Sequence, residues 1–298
     1  MSGRLKALIS FAVVIGLSLI LFGLFGSAGK DDAFAPQEEF KLDPWLAIKL
    51  GPLDFSLNKA VLYLVLATGM TMAAMLYIAN RMQGRPNRVQ TAVETAYLFM
   101  RDSITYNNMD DKMARKWFGF VGTLFMFIWF SNMIGYVPLP TNTAHTVDVG
   151  VKLPVFALYS ATANISVTLV LTLMVWFAYH FEGVRDQGPI GYLKSWVPAG
   201  VTGPAVVPIF AIEVISHFVR IISLSVRLFA NILAGHLLIL FMGGGLVVLL
   251  GLAALAPFTM PLAIGFFIFE VILIATLQAF IFATLTAIYL GDAVAAHH

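Results

Sequence analysis

Long apolar stretches recur along this chain, and several of them are long enough to cross a membrane. A membrane-spanning helix needs about 20 mostly apolar residues, and Lys59–Asn80 is one such stretch. Hydrophobic residues make up 59% of the 298 residues and charged residues only 11%, whereas a soluble domain usually has about 25% charged residues. A water-exposed globule of this size cannot bury so much apolar surface. The sequence therefore predicts a polytopic α-helical membrane protein.

The composition also argues against several kinds of site. The chain has no cysteine, which rules out disulfides, cysteine-based zinc sites and cysteine nucleophiles. It has no HExxH pattern and no Walker or Rossmann glycine loop, and Gly243–Gly245 is better interpreted as a turn between apolar stretches. The formal net charge of +2 and the lack of a dense basic run argue against nucleic acid as a partner. We therefore expect the protein to hold no metal and no cofactor. We expect membrane lipid to be its solvent.

The order of the apolar segments predicts an all-α membrane protein with about five core membrane helices. An extra hydrophobic helix precedes them, an amphipathic helix lies at the interface, and the last two segments form a long tilted C-terminal helical hairpin. The predicted segments are, in order, Leu8–Gly26, Lys59–Asn80, the interfacial Val89–Asn107, Trp117–Val137, Val155–Phe181, Ala205–Met242 and Leu246–Leu290. Residues 1–28 are then an N-terminal hydrophobic helix or signal peptide, residues 29–56 an external linker, and residues 57–298 the membrane domain.

Basic residues set the predicted orientation. Arg81, Arg85 and Arg88 follow the second segment, and an excess of Lys and Arg marks cytoplasmic loops. Counting spans from there leaves the C-terminus in the cytoplasm and residues 141–152 in an external loop. The segment Ala205–Met242 is unusual, because a helix of about 35 residues is some 50 Å long and the hydrocarbon core only about 30 Å thick. Such a helix must tilt, bend or lie partly in the membrane plane.

This long segment carries several polar side chains at a regular spacing. At about 100° per residue they fall within roughly 80° of one another, whereas His236 lies about 140° from the first of them. The members of this polar stripe are Glu213, His217, Arg220, Arg227 and Asn231. Ionisable groups inside a membrane span are costly and suggest function by default. One stripe indicates one face turned towards water or a partner.

Two interpretations are open for the first part of the stripe and one is favoured for the second. Glu213 and Arg220 either form a structural ion pair with His217 between them or take part in function. Arg227 has no acid three or four residues away on either side, and a guanidinium is effectively always charged. We therefore expect its anionic partner to come from another helix or another chain.

The last segment carries Glu270 in the run FFIFEVIL, followed by Gln278. Glu270 is either a neutral acid that forms a hydrogen bond to another helix or a carboxylate that relays protons. Gln278 alone indicates little, because amide side chains often hold membrane helices together.

Residues 223–237, SLSVRLFANILAGHL, resemble subunit a of the F-type ATP synthase, and residues 277–289, LQAFIFATLTAIY, resemble the C-terminal signature of that family. The similarity is strong over residues 208–290 and extends more loosely back to residue 45. It implies a non-catalytic stator subunit that forms two offset proton half-channels beside a ring of c subunits. It also implies peripheral-stalk b subunits as partners and a bacterial inner membrane as the location.

The resemblance assigns roles to individual positions. Arg227 matches the arginine that faces the c-ring carboxylates and separates the half-channels, and Gln278 matches the glutamine opposite it. Glu213 and Asn231 match polar positions of the same helix, while His236 and Glu270 resemble a pair that serves the external half-channel. Further candidates are His217, Arg220 and Asn164.

Two positions depart from the family pattern. The family has an acid or histidine seven residues before the glutamine, where this chain has Val271, whereas Glu270 is eight before. The offset turns Glu270 by about 100° on a regular helix, and a local bulge would restore its direction. The family often has an aspartate in the fourth span, where this chain has Asn164. A polar role remains open to Asn164, but not an ionisable one.

Two other classes of membrane protein are alternatives. A secondary transporter with an anion site at Arg227 would show inverted repeats or paired broken helices, and the sequence shows neither. An intramembrane prenyl or lipid transferase would need clustered acids for a metal, or an activated nucleophile, and the acids here are scattered. Co-purification separates the three, because only the stator belongs to a large complex with a c-ring.

Overall fold

The computed structural model describes residues 40–50, 53–80, 88–148, 152–197, 201–245 and 256–295. The predicted N-terminal helix Leu8–Gly26 lies outside these residues. Among the residues described, five helical segments are long and apolar enough to cross a membrane. The chain is thus an all-α, multi-pass membrane protein, as the sequence predicts.

The helices of the described part follow the predicted order. They are α1 Lys59–Asn80, α2 Arg88–Leu98, α3 Asp111–Gly135, α4 Ile165–Ser195, α5 Val206–Leu240, α6 Ala256–Phe269 and α7 Ala275–Val294. Three π-helical segments extend or join them, namely Phe99–Tyr106 after α2, Phe241–Gly245 after α5, and Glu270–Ile274 between α6 and α7. The predicted turn at Gly243–Gly245 is therefore wrong, because the chain stays helical there.

The long helix α5 has 35 residues, which corresponds to about 52 Å at 1.5 Å per residue. Its only proline, Pro208, lies in the first turn, where a missing N–H does no harm. Within α5, no glycine occurs before Gly235. Nothing in this sequence interrupts the hydrogen-bond ladder, and the prediction of a helix longer than the membrane is thick is confirmed.

Two short antiparallel ladders lie outside the helices. Strands β1 (Lys49–Leu50) and β2 (Leu53–Asp54) pair just before α1. Strands β3 (Leu139–Asp148) and β4 (Lys152–Ala157) pair where the sequence predicts a loop and the start of the fourth span. That predicted start is wrong, because Val155 belongs to β4.

Helix α4 begins ten residues later than predicted and continues past Phe181 to Ser195. The side chain of Asn164 caps its N-terminus by accepting a hydrogen bond from the Ser166 N–H at 2.9 Å, which fixes the first turn. Near the other end, Gly188 adopts φ 74° before Pro189, so the helix is kinked there. Glycine tolerates this left-handed conformation at little steric cost.

The described chain divides into two compact units. One contains β3, β4, the C-terminal end of α5 from Ala234, and α6, together with residues 40–43; the other contains α1 to α4, most of α5, and α7. In the larger unit α7 packs against α3 and α4. Its contact face is a row of fully buried alanines at every fourth position, Ala275, Ala279, Ala283 and Ala287. Small side chains at this spacing let helices approach closely in lipid.

Polar contacts inside the larger unit hold α7 in register. The Asn132 side chain of α3 donates to the Ala275 carbonyl oxygen at 3.2 Å and accepts from the Thr162 hydroxyl at 2.6 Å. The Trp129 indole N–H donates to the Thr276 hydroxyl at 3.2 Å. Buried polar groups need such partners, so these bonds fix the start of α7, three residues before Gln278.

Candidate functional site

The polar stripe of α5 passes from a packed to an uncovered surface along its length. Arg227 and Asn231, one turn apart, are exposed, while Leu224, Leu228 and Ile232 on a neighbouring face are buried. Within the described part of the chain, the Arg227 guanidinium forms no hydrogen bond and no ion pair. Its charge is presented to whatever lies outside the described residues.

The other arginine of the stripe is paired. The Arg220 Nη2 lies 3.6 Å from Glu213 Oε1, and the guanidinium also lies over the Tyr289 ring, 5.0 Å from its centroid. The His217 Nε2 lies 3.7 Å from the same Glu213 oxygen. The local ion pair considered for these residues is therefore present. Both Glu213 and Arg220 remain partly exposed, so solvent screens much of their attraction.

His217 is buried in an aromatic environment between α4 and α5. Its Nδ1 is 3.1 Å from the Tyr179 hydroxyl, and its ring stands 4.8 Å from that of His180 and 4.4 Å from that of Trp196. Sequence reasoning missed Tyr179 and His180. A histidine near the end of an apolar span was the only sequence signal that could have pointed to this pair. Because 37 positions separate His180 from His217, no helical periodicity connects them.

The smaller unit brings Glu270 to the residue preceding His236. A Cβ atom added to Gly235 would overlap the Glu270 carboxylate, so the absence of a side chain at Gly235 leaves room for this group. His236 is fully buried and Glu270 nearly so, and the His236 ring makes an edge contact with Phe40 at 6.3 Å. The local geometry supports treating His236 and Glu270 as neighbours.

A π-helical segment, Glu270–Ile274, begins at the residue that is out of register. A π-helical turn accommodates one more residue than an α-helical turn, which offsets the rotation of about 100° per residue. Eight residues that include this turn thus rotate the chain about as far as seven in a regular helix. The bulge that the sequence offset requires is present, and it lies between Glu270 and Gln278.

Gln278 and Asn164 occupy different settings. Gln278 is buried on α7, next to the alanine row. Asn164 caps α4, a structural explanation for this amide. Burial raises the pKa of Tyr159 to about 12. The Tyr159 phenol therefore stays protonated at neutral pH.

Comparison with known proteins gives one consistent result. The sequence model of the family described as "ATP synthase A chain" matches residues 61–291. The chain is 36% identical to ATP synthase subunit a of Rubrobacter xylanophilus, over 82% of this chain and 86% of that protein. It is also 36% identical to the ATP synthase subunit a of Brucella ovis and of Brucella canis, over 88% of this chain and 98% of each relative.

Proposed function

The chain belongs to the ATP synthase subunit a family, and on that premise we propose that it is the proton-translocating stator subunit of a rotary F-type ATP synthase. The observation that carries the proposal is the exposed Arg227, which has no ion pair within the described residues. A fixed cation at membrane depth needs an anionic partner, and carboxylates on a ring of c subunits supply it. The subunit is non-catalytic on its own.

Arg227 separates two half-channels in this proposal. As the ring turns, each c-subunit carboxylate that passes Arg227 is held ionised by the guanidinium, because an opposite charge a few ångströms away favours the charged form. An ionised carboxylate carries no proton past the arginine. Protons therefore cannot leak directly between the half-channels and must travel with the ring. Gln278 faces the arginine from α7.

The remaining polar residues belong to the half-channels. Glu213 and Asn231 lie about 21 Å and 6 Å along α5 from Arg227, at 1.5 Å per residue. Glu213 serves the half-channel on the cytoplasmic side, with His217 and Arg220 around it. His236 and Glu270 serve the external half-channel, where Gly235 leaves space for the carboxylate. Asn164 has a structural role as a helix cap.

The subunit works in this proposal within a larger complex. Its partners are the c-ring, the peripheral-stalk b subunits and lipid, and its location is the inner membrane of a bacterium with the C-terminus in the cytoplasm. The exposed apolar side chains of α5, among them Ile212, Ile215 and Val219, support a large partner.

The test is ATP-driven proton pumping by the assembled complex in membrane vesicles. Arg227→Ala removes the fixed charge and is expected to abolish pumping while the complex still assembles. Arg101→Ala is the matched control, because Arg101 is an exposed arginine on the segment after α2, and it is expected to pump normally. Normal coupled pumping by assembled Arg227→Ala would contradict the proposal.

A further inference from the structure

Two histidines from different helices lie side by side at the end of α5 where Glu213 is found. The rings of His180 on α4 and His217 on α5 are 4.8 Å apart and inclined at 65°. His217 is buried and His180 is half-buried. The charged and titratable groups around them are Tyr179 and Tyr192 of α4, Glu213 and Arg220 of α5, and Tyr289 of α7, with Trp176 and Trp196 completing the enclosure.

The hydrogen bonds of His180 fix where its proton lies. Its Nδ1 is 2.9 Å from the Trp176 carbonyl oxygen, and a carbonyl only accepts, so Nδ1 carries the hydrogen. In the neutral ring Nε2 is then a proton acceptor. This nitrogen is buried and has no hydrogen-bond partner within the described part of the chain. A buried acceptor without a donor calls for an explanation.

The contacts of His217 connect the same place to Glu213. Its Nε2 lies 3.7 Å from Glu213 Oε1, beyond hydrogen-bond distance, but the carboxylate on this side favours the tautomer with the hydrogen on Nε2. Nδ1 is then free to accept the hydrogen of the Tyr179 hydroxyl at 3.1 Å. In this tautomer the Nε2 hydrogen of His217 points towards Glu213 and can be released to it. The His180 ring lies beside the His217 ring, 4.8 Å away.

We propose that His180 and His217 relay protons between water and Glu213; this rests on the proposed function, in which Glu213 serves a half-channel. A proton binds His180 Nε2 and gives an imidazolium. It passes to His217 Nδ1 as the Tyr179 hydroxyl turns away, and His217 releases its Nε2 hydrogen to the Glu213 carboxylate. His180 is neutral again, and His217 now carries its hydrogen on Nδ1. It returns to its first tautomer by proton exchange with water, in which Nδ1 loses its hydrogen and Nε2 gains one. One proton enters and one leaves, and the reverse order carries protons outwards.

A metal site is the other use for paired histidines, and the geometry does not favour it. Among the described residues, no group of three or more His, Cys, Asp or Glu side chains is placed to hold a metal ion. The nearest carboxylate, Glu213, is already paired with Arg220. Proton transfer needs only two adjacent basic groups and an acceptor, and those are present.

The experiment measures passive proton conduction through the membrane sector in vesicles stripped of the catalytic head, driven by a potassium diffusion potential. His180→Gln keeps a donor for the Trp176 carbonyl but cannot carry a proton. We expect its conduction to fall about tenfold, less than the hundredfold or more of a positioned proton-transfer group in chemistry, because water replaces part of the path. His145→Gln, which removes a histidine from β3, should conduct like the parent. Unchanged conduction in assembled His180→Gln would overturn the relay.

Chemical rescue separates proton transfer from packing. His180→Ala leaves space for a small ring, and added imidazole is expected to restore most of the conduction. Pyrazole has the same shape but is a far weaker base, so it should restore little. Equal rescue by both compounds, or by neither, would overturn the relay. Normal conduction in His180→Gln beside abolished pumping in Arg227→Ala removes the relay alone, whereas normal pumping in Arg227→Ala removes the proposed function.

Discussion

Arg220 and Arg227 lie on the same helix, seven residues apart, yet their surroundings differ. Arg220 has Glu213 at 3.6 Å and the Tyr289 ring beneath it. Arg227 is exposed and forms no hydrogen bond or ion pair among the described residues. A charge in lipid is costly unless it is compensated. Arg220 is compensated by these neighbours, whereas Arg227 needs compensation from beyond the described residues. This difference supports the proposal that Arg227 is functional, and it favours a structural role for the pairing of Arg220.

Gly235 is the residue whose substitution tests the Glu270 position most directly. In Gly235→Ala the new methyl group occupies the space of the Glu270 carboxylate. The carboxylate ends a flexible side chain, so we expect it to move and the fold to persist. Proton conduction should fall by about 10²-fold, the contribution of a well-placed proton-transfer group.

The measurement for Gly235→Ala is passive proton conduction, with the amount of assembled complex determined in parallel. Gly265→Ala on α6 is the matched control, because a Cβ there meets no atom within 4 Å and alanine is the better helix former. Full conduction by assembled Gly235→Ala would show that the carboxylate is not used where the structure places it.

Among the elements, the π turn between α6 and α7 determines which way Glu270 faces. The segment Glu270–Ile274 adds a residue to one helical turn, and Glu270 is buried while Val271 is partly exposed. The acid is therefore placed by the bulge and not by sequence spacing alone. Mutations can therefore change the direction in which the acid faces without changing the amino-acid composition of this segment.

Two variants test this register. Exchanging the pair, Glu270→Val with Val271→Glu, keeps the composition but turns the acid by about 100°. We expect conduction to fall at least as far as in Gly235→Ala. Deleting Val271 places Glu270 seven positions before Gln278, a spacing that a regular helix accommodates without a bulge, and should retain most of the conduction. Conduction that survives the exchange but not the deletion would contradict this account of the π turn.

The sequence predicts some elements well because the membrane restricts what apolar segments can form. Helix α1 matches its predicted bounds, and the excess length of α5 follows from a long stretch without proline or glycine. Strands β3 and β4 were missed because their hairpin has two irregularities in register and contains Pro140 and Pro154, which cannot donate to the ladder. The start of α4 was misplaced because its signal is one capping side chain, Asn164.

The candidate site was predictable where one helix carries it and unpredictable where two helices meet. Helical periodicity alone puts Arg227 on a stripe with Asn231. The offset of Glu270 was visible in the sequence, but only the structure supplies the π turn that compensates for it. The contact of His180 with His217 needs the packing of α4 on α5, and no local pattern encodes it.

At the scale of the whole molecule, much of the surface of α5 is not covered by the other described residues. Large apolar side chains along it are exposed, among them Ile215, Val219 and Ile222. Lipid can cover such side chains, but it does not compensate the Arg227 charge. We therefore expect one part of this surface to meet lipid and the part around Arg227 to meet a protein partner.

Three consecutive positions of α5 distinguish these surfaces. Ser223 is exposed and lies one turn before Arg227, on the same side of the helix. Ile222 is exposed about 140° away from Arg227, and Leu224 is buried.

The chain contains no cysteine, so a single cysteine introduced at each position carries a photoactivatable benzophenone to that place alone. After illumination of the assembled complex in its membrane, we expect Ser223→Cys to crosslink to the ring subunit, Ile222→Cys to lipid, and Leu224→Cys to label poorly. Mass spectrometry of the products identifies each partner. Ring crosslinks of equal yield from Ile222→Cys and Ser223→Cys would mean that Arg227 does not mark the partner-facing side of α5.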